Sequence, residues 1–206
     1  MNLRRNSLSK MMGAFLFPLF CVAGLLFTSC EETVAVDEYA NWKERNTEFI
    51  DSIAKVAEEN ADGKWLKILS FKLNETNING DIIEWDNEDY VYCHVEAEGT
   101  GTQHPLFTDT VSVNYRGRLM PTVSYPEGYV FDQSYKGALN PAINVPAKFN
   151  VGGVIVGWST ALQQMVTGDI WRVYIPANLA YGSDKQTSIP AYSALVFDIN
   201  LVKITH

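Results

Sequence analysis

Three segments in the second half of the chain alternate apolar and polar residues, and this period of two constrains the fold more than any other feature. The segments are TVSVNYRGRL (110–119), WRVYIP (171–176) and ALVFDINLVKI (194–204). Successive side chains of an extended strand point to opposite faces, so each segment predicts a strand with one buried face. Strands with one buried and one solvated face are typical of antiparallel sheets. We therefore predict an antiparallel sheet in the second half of the chain.

A glycine-rich segment, VGGVIVGWSTALQQM (151–165), separates the first of these predicted strands from the second. Trp158, Leu162 and Met165 recur at spacings of four and three residues, which predicts a short helix that stops near Gly168. The glycines before Trp158 allow the backbone to bend closely. One short helix across one face of an antiparallel sheet makes an α+β domain.

Residues 1–29 have the plan of an exported signal peptide, with three basic residues, an apolar run and small residues before Cys30. A cleavage site followed by cysteine resembles that of bacterial lipoproteins. We therefore predict lipidation of Cys30 and an outer-membrane position in the cell envelope. The alternative is an ordinary secretory signal followed by a chance cysteine. The acidic pair 31–32 resembles export signals of some Bacteroidetes surface lipoproteins, so both periplasmic and surface-facing positions stay open.

Residues 30–89 are predicted to form an acidic tether and an amphipathic helix region. A helix over 37–60 would begin at Asp37 as its N-cap and end at Asp62-Gly63. Its apolar face consists of Trp42, Phe49, Ile53 and Val56. Because an isolated helix of this length is marginal in water, it requires a partner surface. That surface is either the main domain or a second copy of the chain in a homodimer. The segment WLKILSFKL (65–73) is a candidate strand.

The charge of the chain argues against nucleic acid as a partner. The sequence holds 16 Lys and Arg and 24 Asp and Glu. Three of the basic residues fall in 1–29, which leaves 13 against 24 and a formal net charge of −11 for the remainder. An acidic surface of this kind repels phosphate groups, so attachment to a membrane would depend on lipid.

Residues that carry covalent, metal or cofactor chemistry are sparse in the sequence. With Cys30 acylated, Cys93 is the one cysteine left after the signal peptide, so neither an intramolecular disulfide nor a cysteine zinc site can form. Cys93 itself is predicted to be a small buried residue on a strand. The sequence has no nucleophile elbow and no phosphate-binding glycine loop. Hydrolase, kinase and dehydrogenase functions therefore have no support, and we predict neither a metal nor a cofactor.

Five motifs in residues 105–206 resemble the FKBP-type peptidyl-prolyl isomerase domain. In the family's order they are VSVNYRGRL, VFDQSY, FNVGGVIVGWSTALQQM, YIPANLAYG and the pair IP and LVFDINL. The resemblance implies an antiparallel sheet of five to six strands wrapped around one short helix. This domain would span 90–206, with the N-terminal helix as an extension. Related envelope isomerases often dimerise through N-terminal helices, which makes a homodimer through this helix one expectation.

The resemblance also implies a pocket that binds proline. Trp158 would form its floor, Asp132 would lie beside the substrate carbonyl, and Tyr181 would donate a hydroxyl from the loop above. The apolar walls, rim and flap would be formed by Tyr115, Phe131, Phe149, Val154, Ile155, Ile189 and Phe197. Two features depart from the family pattern: Ala147 stands where many members have another pocket aromatic, and the flap SDKQTSIPAY is short and polar.

Isomerisation of an X-Pro bond crosses a barrier of ~18–20 kcal/mol without breaking a bond, so it needs no nucleophile, acid or metal. A dry aromatic pocket favours the twisted, less polar amide over the planar one. We therefore predict a peptidyl-prolyl isomerase of the cell envelope that acts on exported or unfolded proline-containing polypeptides, with macrolide inhibitors as candidate ligands. The alternative is a catalytically weak FKBP-like module that holds unfolded clients or a fixed partner.

Overall fold

An antiparallel sheet organises residues 37–206, the part of the chain that the computed structural model describes. The predicted signal peptide, Cys30 and the tether up to residue 36 lie outside the described residues. The strands are β1 (Trp65–Leu69), β2 (Tyr90–Ala97), β3 (Thr110–Leu119), β4 (Val130–Gln133), β5 (Ala147–Asn150), β6 (Ile170–Ile175) and β7 (Leu195–Thr205). Their order is β1-β2-β6-β7-β3-β4, and β5 also pairs with β3. The α-helices of this part are α1 (Trp42–Glu59) and α2 (Val156–Leu162).

The α+β architecture predicted from the sequence is confirmed, but the sheet has seven strands rather than five or six. The additional edge strand is β1, which pairs with β2 from Trp65 opposite His94 to Leu69 opposite Tyr90. The candidate strand in WLKILSFKL is therefore real, although it ends at Leu69. As a result, β1 belongs to the same sheet as the strands of residues 90–206, and α1 belongs to the same compact unit.

Strand β3 is the strand from which the site is built. One edge of β3 pairs with β7 along its whole length. The other edge is divided, since residues 110–113 pair with β5 and residues 116–118 pair with β4. Tyr115 lies between these two pairings, and its N–H donates to Ser134 Oγ at 2.9 Å. This division brings the short strands β4 and β5 to either side of Tyr115.

The predicted core face of β3 is confirmed, because Val111, Val113, Tyr115 and Leu119 are all buried. The opposite face is not solvated as expected, since Ser112 and Asn114 are buried as well. Asn114 Nδ2 donates to Asn200 Oδ1 at 3.1 Å, and Asn200 Nδ2 donates to the Asp169 carbonyl at 3.1 Å. A polar side chain tolerates burial when it has such partners, so alternation alone overstates the exposure of this face.

Helix α2 packs across the inner face of the sheet. The predicted trio Trp158, Leu162 and Met165 is buried, although the helix begins at Val156 and Met165 lies in the turn after it. Gly157 allows the close approach: a Cβ at this position would lie 2.3 Å from Ile175 Cγ2 on β6. The helix can therefore lie against the sheet with Trp158 turned towards one end of it.

Helix α1 packs on the outer face of the sheet, against β1, β2 and β6. The apolar contact between them joins Ile50, Ala54 and Ala57 of the helix to Tyr92 and Ala194. Cys93, on the inner face of β2, is fully buried as predicted. Of the two partner surfaces that the sequence left open, the main domain is the one that α1 covers.

Two details of the predicted helix are wrong, namely its start and part of its apolar face. It begins at Trp42 after Asn41, and Asp37 instead accepts a hydrogen bond from Tyr39 N–H in the preceding turn. Its end is close to the predicted one, since it stops at Glu59 and Asn60 follows in the left-handed region. Trp42, Phe49 and Ile53 pack against the core as predicted, whereas Val56 is 44% exposed and Asn46 is buried instead. Asn46 can occupy that face because both of its amide atoms are hydrogen-bonded.

No helix among residues 37–206 is long and apolar enough to cross a membrane. Within the same residues, no group of three or more His, Cys, Asp or Glu side chains is arranged to hold a metal ion.

Candidate active site

Four aromatic side chains form a cup at one end of the sheet, and Trp158 forms its base. Trp158 extends from the first turn of α2 and is 4% exposed. The Tyr115, Phe149 and Phe197 rings lie 5.4, 5.3 and 5.2 Å from the Trp158 ring, centroid to centroid, at steep angles. Edge-to-face contacts of this kind fix the orientation of each ring. The rings come from α2, β3, β5 and β7, so the sheet and the helix together determine the shape of the cup.

Phe131 on β4 extends the aromatic wall, and a glycine makes room for it. The Phe131 and Phe197 rings are 5.6 Å apart and nearly perpendicular. Between them lies Gly117 of β3, where a Cβ would be 2.6 Å from both Phe131 Cζ and Phe197 Cε1. The glycine in YRGRL is therefore required by the packing of two wall residues.

The apolar rim is formed by the segment between β5 and α2. The Asn150 side chain accepts a hydrogen bond from Gly152 N–H at 3.0 Å, and Ser159 Oγ donates to the Val151 carbonyl at 2.7 Å. These bonds fix the turn, so that Val154 and Ile155 border the cup. Ile155 precedes the first residue of α2, where a helix leaves backbone N–H groups without an intrahelical acceptor. The rim can thus present a backbone donor as well as apolar side chains.

Asp132 and Tyr181 supply the polar groups of the cup. Tyr115 Oη donates to Asp132 Oδ2 at 2.7 Å, and Gln133 N–H donates to Asp132 Oδ1 at 2.8 Å. Burial, together with the Asp132 hydrogen bond, raises the pKa of the Tyr115 phenol, so it remains protonated. Tyr181 follows the short 3₁₀ turn Ala177–Leu179 and is 39% exposed.

Together these groups enclose an open cavity of about 480 Å³. Its lining consists of Tyr115, Phe131, Asp132, Phe149, Gly153, Val154, Ile155, Trp158, Tyr181 and Phe197. Asp132 is the one carboxylic acid in this lining, which contains no Lys, Arg or His. A cavity of this composition can bind an apolar ring and orient one polar group beside it.

The structure brings nine of the ten residues predicted for the site to this cavity. The exception is Ile189, which is 6% exposed, packs in the main core and does not line the cup. The Ile189 carbonyl accepts from Gln186 N–H at 2.9 Å, a turn that holds this side chain inward. Sequence reasoning did not assign Gly153, although the Gly-Gly pair before Val154 was the signal for a backbone close to the site.

The segment that carries the cavity is similar in sequence to proteins of one known family. Residues 101–202 match the family model described as FKBP-type peptidyl-prolyl cis-trans isomerase. The macrophage infectivity potentiator of Trypanosoma cruzi is 31% identical over 186 residues, which cover 90% of this chain and 81% of that protein. Peptidyl-prolyl cis-trans isomerase Mip of Coxiella burnetii is 41% identical over 103 residues, or 50% of this chain and 40% of the relative. The chain thus spans two fifths of the length of the latter protein.

A solved structure shows the same likeness in three dimensions. The crystal structure of a peptidyl-prolyl cis-trans isomerase from Pseudomonas syringae pv. tomato superposes with a TM-score of 0.53 at 28% identity. The superposition covers 80% of this chain and 96% of that chain. It therefore extends beyond the 102 residues of the family match, into the segment that contains α1 and β1.

Proposed function

The chain belongs to the FKBP-type peptidyl-prolyl cis-trans isomerase family, and on this premise we propose that it catalyses cis–trans isomerisation of X-Pro bonds in polypeptides. The observation that carries the proposal is the aromatic cup above Trp158, with Asp132 and Tyr181 at its edge. Its volume of about 480 Å³ lies within the range of roughly 300–1,000 Å³ that is typical of ligand sites. A cavity of this volume has room for a prolyl ring and the residue before it.

In the proposed mechanism, the prolyl ring packs on Trp158 between Tyr115, Phe149 and Phe197. Rotation of the X-Pro bond removes amide resonance, and the twisted amide is less polar than the planar one. An apolar cup that excludes water favours the twisted form, which lowers the barrier by differential binding. No covalent step is required.

The polar groups orient the substrate in this proposal. Tyr115 holds Asp132 through the 2.7 Å hydrogen bond, so the carboxylate has a fixed position beside the cup. Tyr181 Oη is free to approach a substrate carbonyl from the opposite loop, and the Ile155 N–H can donate from the rim. Fixed dipoles that meet the rotating carbonyl stabilise the transition state without reorganisation.

The experiment that tests the function is isomerisation of a prolyl peptide by the chain from residue 31, followed by NMR exchange or protease coupling. Trp158→Ala should remove most of the acceleration because the base of the cup is lost. Trp65→Ala is the matched control, since Trp65 lies on the outer side of the sheet and stacks on Tyr174. Equal activity of the wild type and Trp158→Ala would refute the assigned pocket.

A second candidate, a module that holds clients without turnover, is favoured by the position of Ile189 in the core. With Ile189 turned inward, the flap contributes no apolar side chain to the cup, and the site stays open on that side. A folded wild type that suppresses aggregation of an unfolded client but does not accelerate isomerisation would favour this candidate.

We further propose that the mature protein is anchored at the outer membrane through lipid on Cys30, with exported polypeptides as its substrates. The support is the signal-like segment 1–29 and the cysteine that follows it. Cys30→Ser should release the protein from the membrane fraction, whereas an unchanged distribution would exclude the anchor. Surface proteolysis of intact cells distinguishes a surface-facing from a periplasmic position.

Two further partners follow from the same proposal. The aromatic cup supports macrolide inhibitors as competitors of prolyl peptides, which a displacement assay tests. A homodimer through α1 has weaker support, because the apolar face of α1 is buried against the sheet of its own chain. Sedimentation of residues 31–206 decides it, and a monomer mass excludes the dimer.

A further inference from the structure

The loop that carries Tyr181 is tied to a helix that lines no part of the aromatic cup. This loop connects β6 to β7 over residues 176–194. Within it, Tyr192 N–H donates to the Gly182 carbonyl at 2.7 Å, and Gly182 N–H donates to the Ala177 carbonyl at 2.7 Å. Because Gly182 adjoins Tyr181, these bonds make the position of Tyr181 depend on the end of the loop that precedes β7.

Two side chains of α1 bind that end of the loop. Trp42 Nε1 donates to Ser193 Oγ at 2.9 Å, and Ser193 Oγ donates to the Pro190 carbonyl at 2.7 Å. Asn46 Oδ1 accepts from Ala194 N–H at 2.8 Å. Trp42, Asn46, Ser193 and Ala194 are all buried. Loss of one partner would therefore leave a buried polar group unpaired, which costs more than loss of an exposed hydrogen bond.

The backbone of the loop also requires external support. Tyr192 has a φ of 60°, in the left-handed region that residues other than glycine rarely adopt. Such a strained backbone conformation persists only where packing and hydrogen bonds around the residue enforce it. Lys43 of α1 contributes to these surroundings, with its Nζ 4.9 Å from the centroid of the Tyr192 ring.

The turn before α1 binds the connection that leads into β4. Glu38 Oε1 accepts from Ser124 N–H at 3.1 Å and also from Ser124 Oγ. Ser124 lies in the connection between β3 and β4, and β4 carries Phe131 and Asp132. Residues 38–46 thus contact the β6–β7 loop, which carries Tyr181, and the β3–β4 connection, which leads into Phe131 and Asp132.

We propose that Trp42 and Asn46 are positioning residues for the isomerase reaction, a proposal that rests on the function proposed above. They hold the β6–β7 loop so that Tyr181 lies over the cup, without touching the substrate themselves. The first two turns of α1, which carry Trp42 and Asn46, then contribute to the rate, whereas the rest of the helix only covers the sheet.

The test measures kcat/KM of the mature protein for a prolyl peptide in a double-mutant cycle. Trp42→Phe keeps an aromatic ring at this position but removes the Nε1–H that donates to Ser193. Ser193→Ala removes the acceptor of the same hydrogen bond. Each should lower kcat/KM about three- to tenfold, the size expected for one buried hydrogen bond. In a Tyr181→Phe background, Trp42→Phe should have little further effect, because both changes act on the same side chain.

The matched control is Ala57→Gly at the other end of α1. It destabilises the helix by about 1 kcal/mol through backbone entropy but keeps every bond to the loop. Its kcat/KM should equal that of the wild type. Wild-type kcat/KM in both Trp42→Phe and Ser193→Ala, or full additivity with Tyr181→Phe, would overturn the proposal.

Amide hydrogen exchange separates this proposal from the proposed function. In Trp42→Phe, the Gly182 and Tyr192 amides should exchange faster than in the wild type and in Ala57→Gly. If the wild type accelerates no isomerisation, the proposed function fails, and exchange alone decides whether α1 holds the loop. Unchanged exchange at both amides would overturn the positioning role.

Discussion

Tyr115 donates its phenolic hydrogen to Asp132, with 2.7 Å between Oη and Oδ2. The two residues lie on the neighbouring strands β3 and β4, and Tyr115 also contacts Trp158 edge-on. One side chain therefore connects the base of the cup to its carboxylate. The elevated pKa of Tyr115 keeps this donor protonated throughout the neutral and mildly alkaline range.

We expect Tyr115→Phe to reduce kcat/KM for prolyl peptides because Asp132 loses the donor that orients it. The free energy of unfolding should fall by about 0.5–1.5 kcal/mol, the net value of one hydrogen bond. Steady-state isomerisation and urea denaturation measure the two effects. Tyr125→Phe is the control: Tyr125 is 45% exposed and does not line the cup, so both quantities should stay unchanged.

Gly117→Ala should disturb the cup without touching its polar groups. The added Cβ would lie 2.6 Å from the Phe131 and Phe197 rings, so at least one ring must move. Overpacking of this kind costs about 1–3 kcal/mol and should lower kcat/KM as well. Gly80→Ala strains a turn at φ +86° in open space and should leave isomerisation intact. Equal kcat/KM for Gly117→Ala and the wild type would contradict the packing argument.

Stability should depend on pH through His94. Its Nε2 lies 2.7 Å from Asp62 Oδ2 and its Nδ1 lies 3.1 Å from Glu96 Oε1. The hydrogen bond with Asp62 raises the pKa of His94 above 6.5 in the folded state. Partial burial of the imidazole lowers this pKa, but Glu96 adds to the effect of Asp62 and the net shift is upward. The stabilisation is therefore complete below pH 6.5 and is lost as the pH rises through the raised pKa.

The difference in unfolding free energy between the wild type and His94→Gln should be largest near pH 6 and shrink towards pH 9. Denaturant titrations at several pH values measure it. Asp62→Asn should flatten the same dependence, because it removes the main partner of the imidazolium. A difference that stays constant with pH would show that the ion pairs contribute nothing.

Asp198 should confer the opposite pH dependence. Burial opposes its ionisation, but hydrogen bonds from Arg172 at 2.7 Å and Arg118 at 2.6 Å outweigh burial and lower the pKa below 3.8. This stabilisation is present above pH 3.8 and disappears as the pH falls through the lowered pKa.

Asp198→Asn should therefore lower the free energy of unfolding by up to about 3 kcal/mol at neutral pH. This value is at the low end for loss of a buried ion pair because Arg172 is partly exposed. The cost should vanish in strong acid. Glu58→Gln, which removes an exposed partner of Lys67, should cost about 0–1 kcal/mol in the same urea titration. Comparable losses for the two variants would contradict the difference in burial.

Most of the cup was predicted through the resemblance of short, ordered motifs to a known family, whereas the residue patterns alone predicted only the elements that carry it. Alternation placed Tyr115 and Phe197 on strands, and the glycine run before Trp158 indicated a tight turn into a helix. Ile189 was not predictable in this way. Whether it faces the cup or the core depends on the Gln186–Ile189 turn within the flap, which no periodicity encodes.

One position of the buried face of α1, Val56, was mispredicted for a related reason. A search for apolar spacing selects Val56, whereas Ala54 and Ala57 pack against the sheet and Asn46 Oδ1 accepts from Ala194 N–H at the end of the β6–β7 loop. Small residues and a hydrogen-bonded amide carry little hydrophobic signal in a sequence. Their burial becomes visible only when the partner surface, here Tyr92 and Ala194, is known.

The packing of α1 on the outer face of β2 and β6 limits how far the N-terminus of the protein can be truncated. A fragment that starts at Tyr90, the predicted start of the FKBP-type domain, would expose Tyr92 and Tyr174 to water and leave Ala194 N–H without its acceptor. Such an excised piece should be prone to aggregation. The smallest autonomous fragment of this chain should therefore begin before Trp42, and recombinant fragments intended for assay or crystallisation should start there.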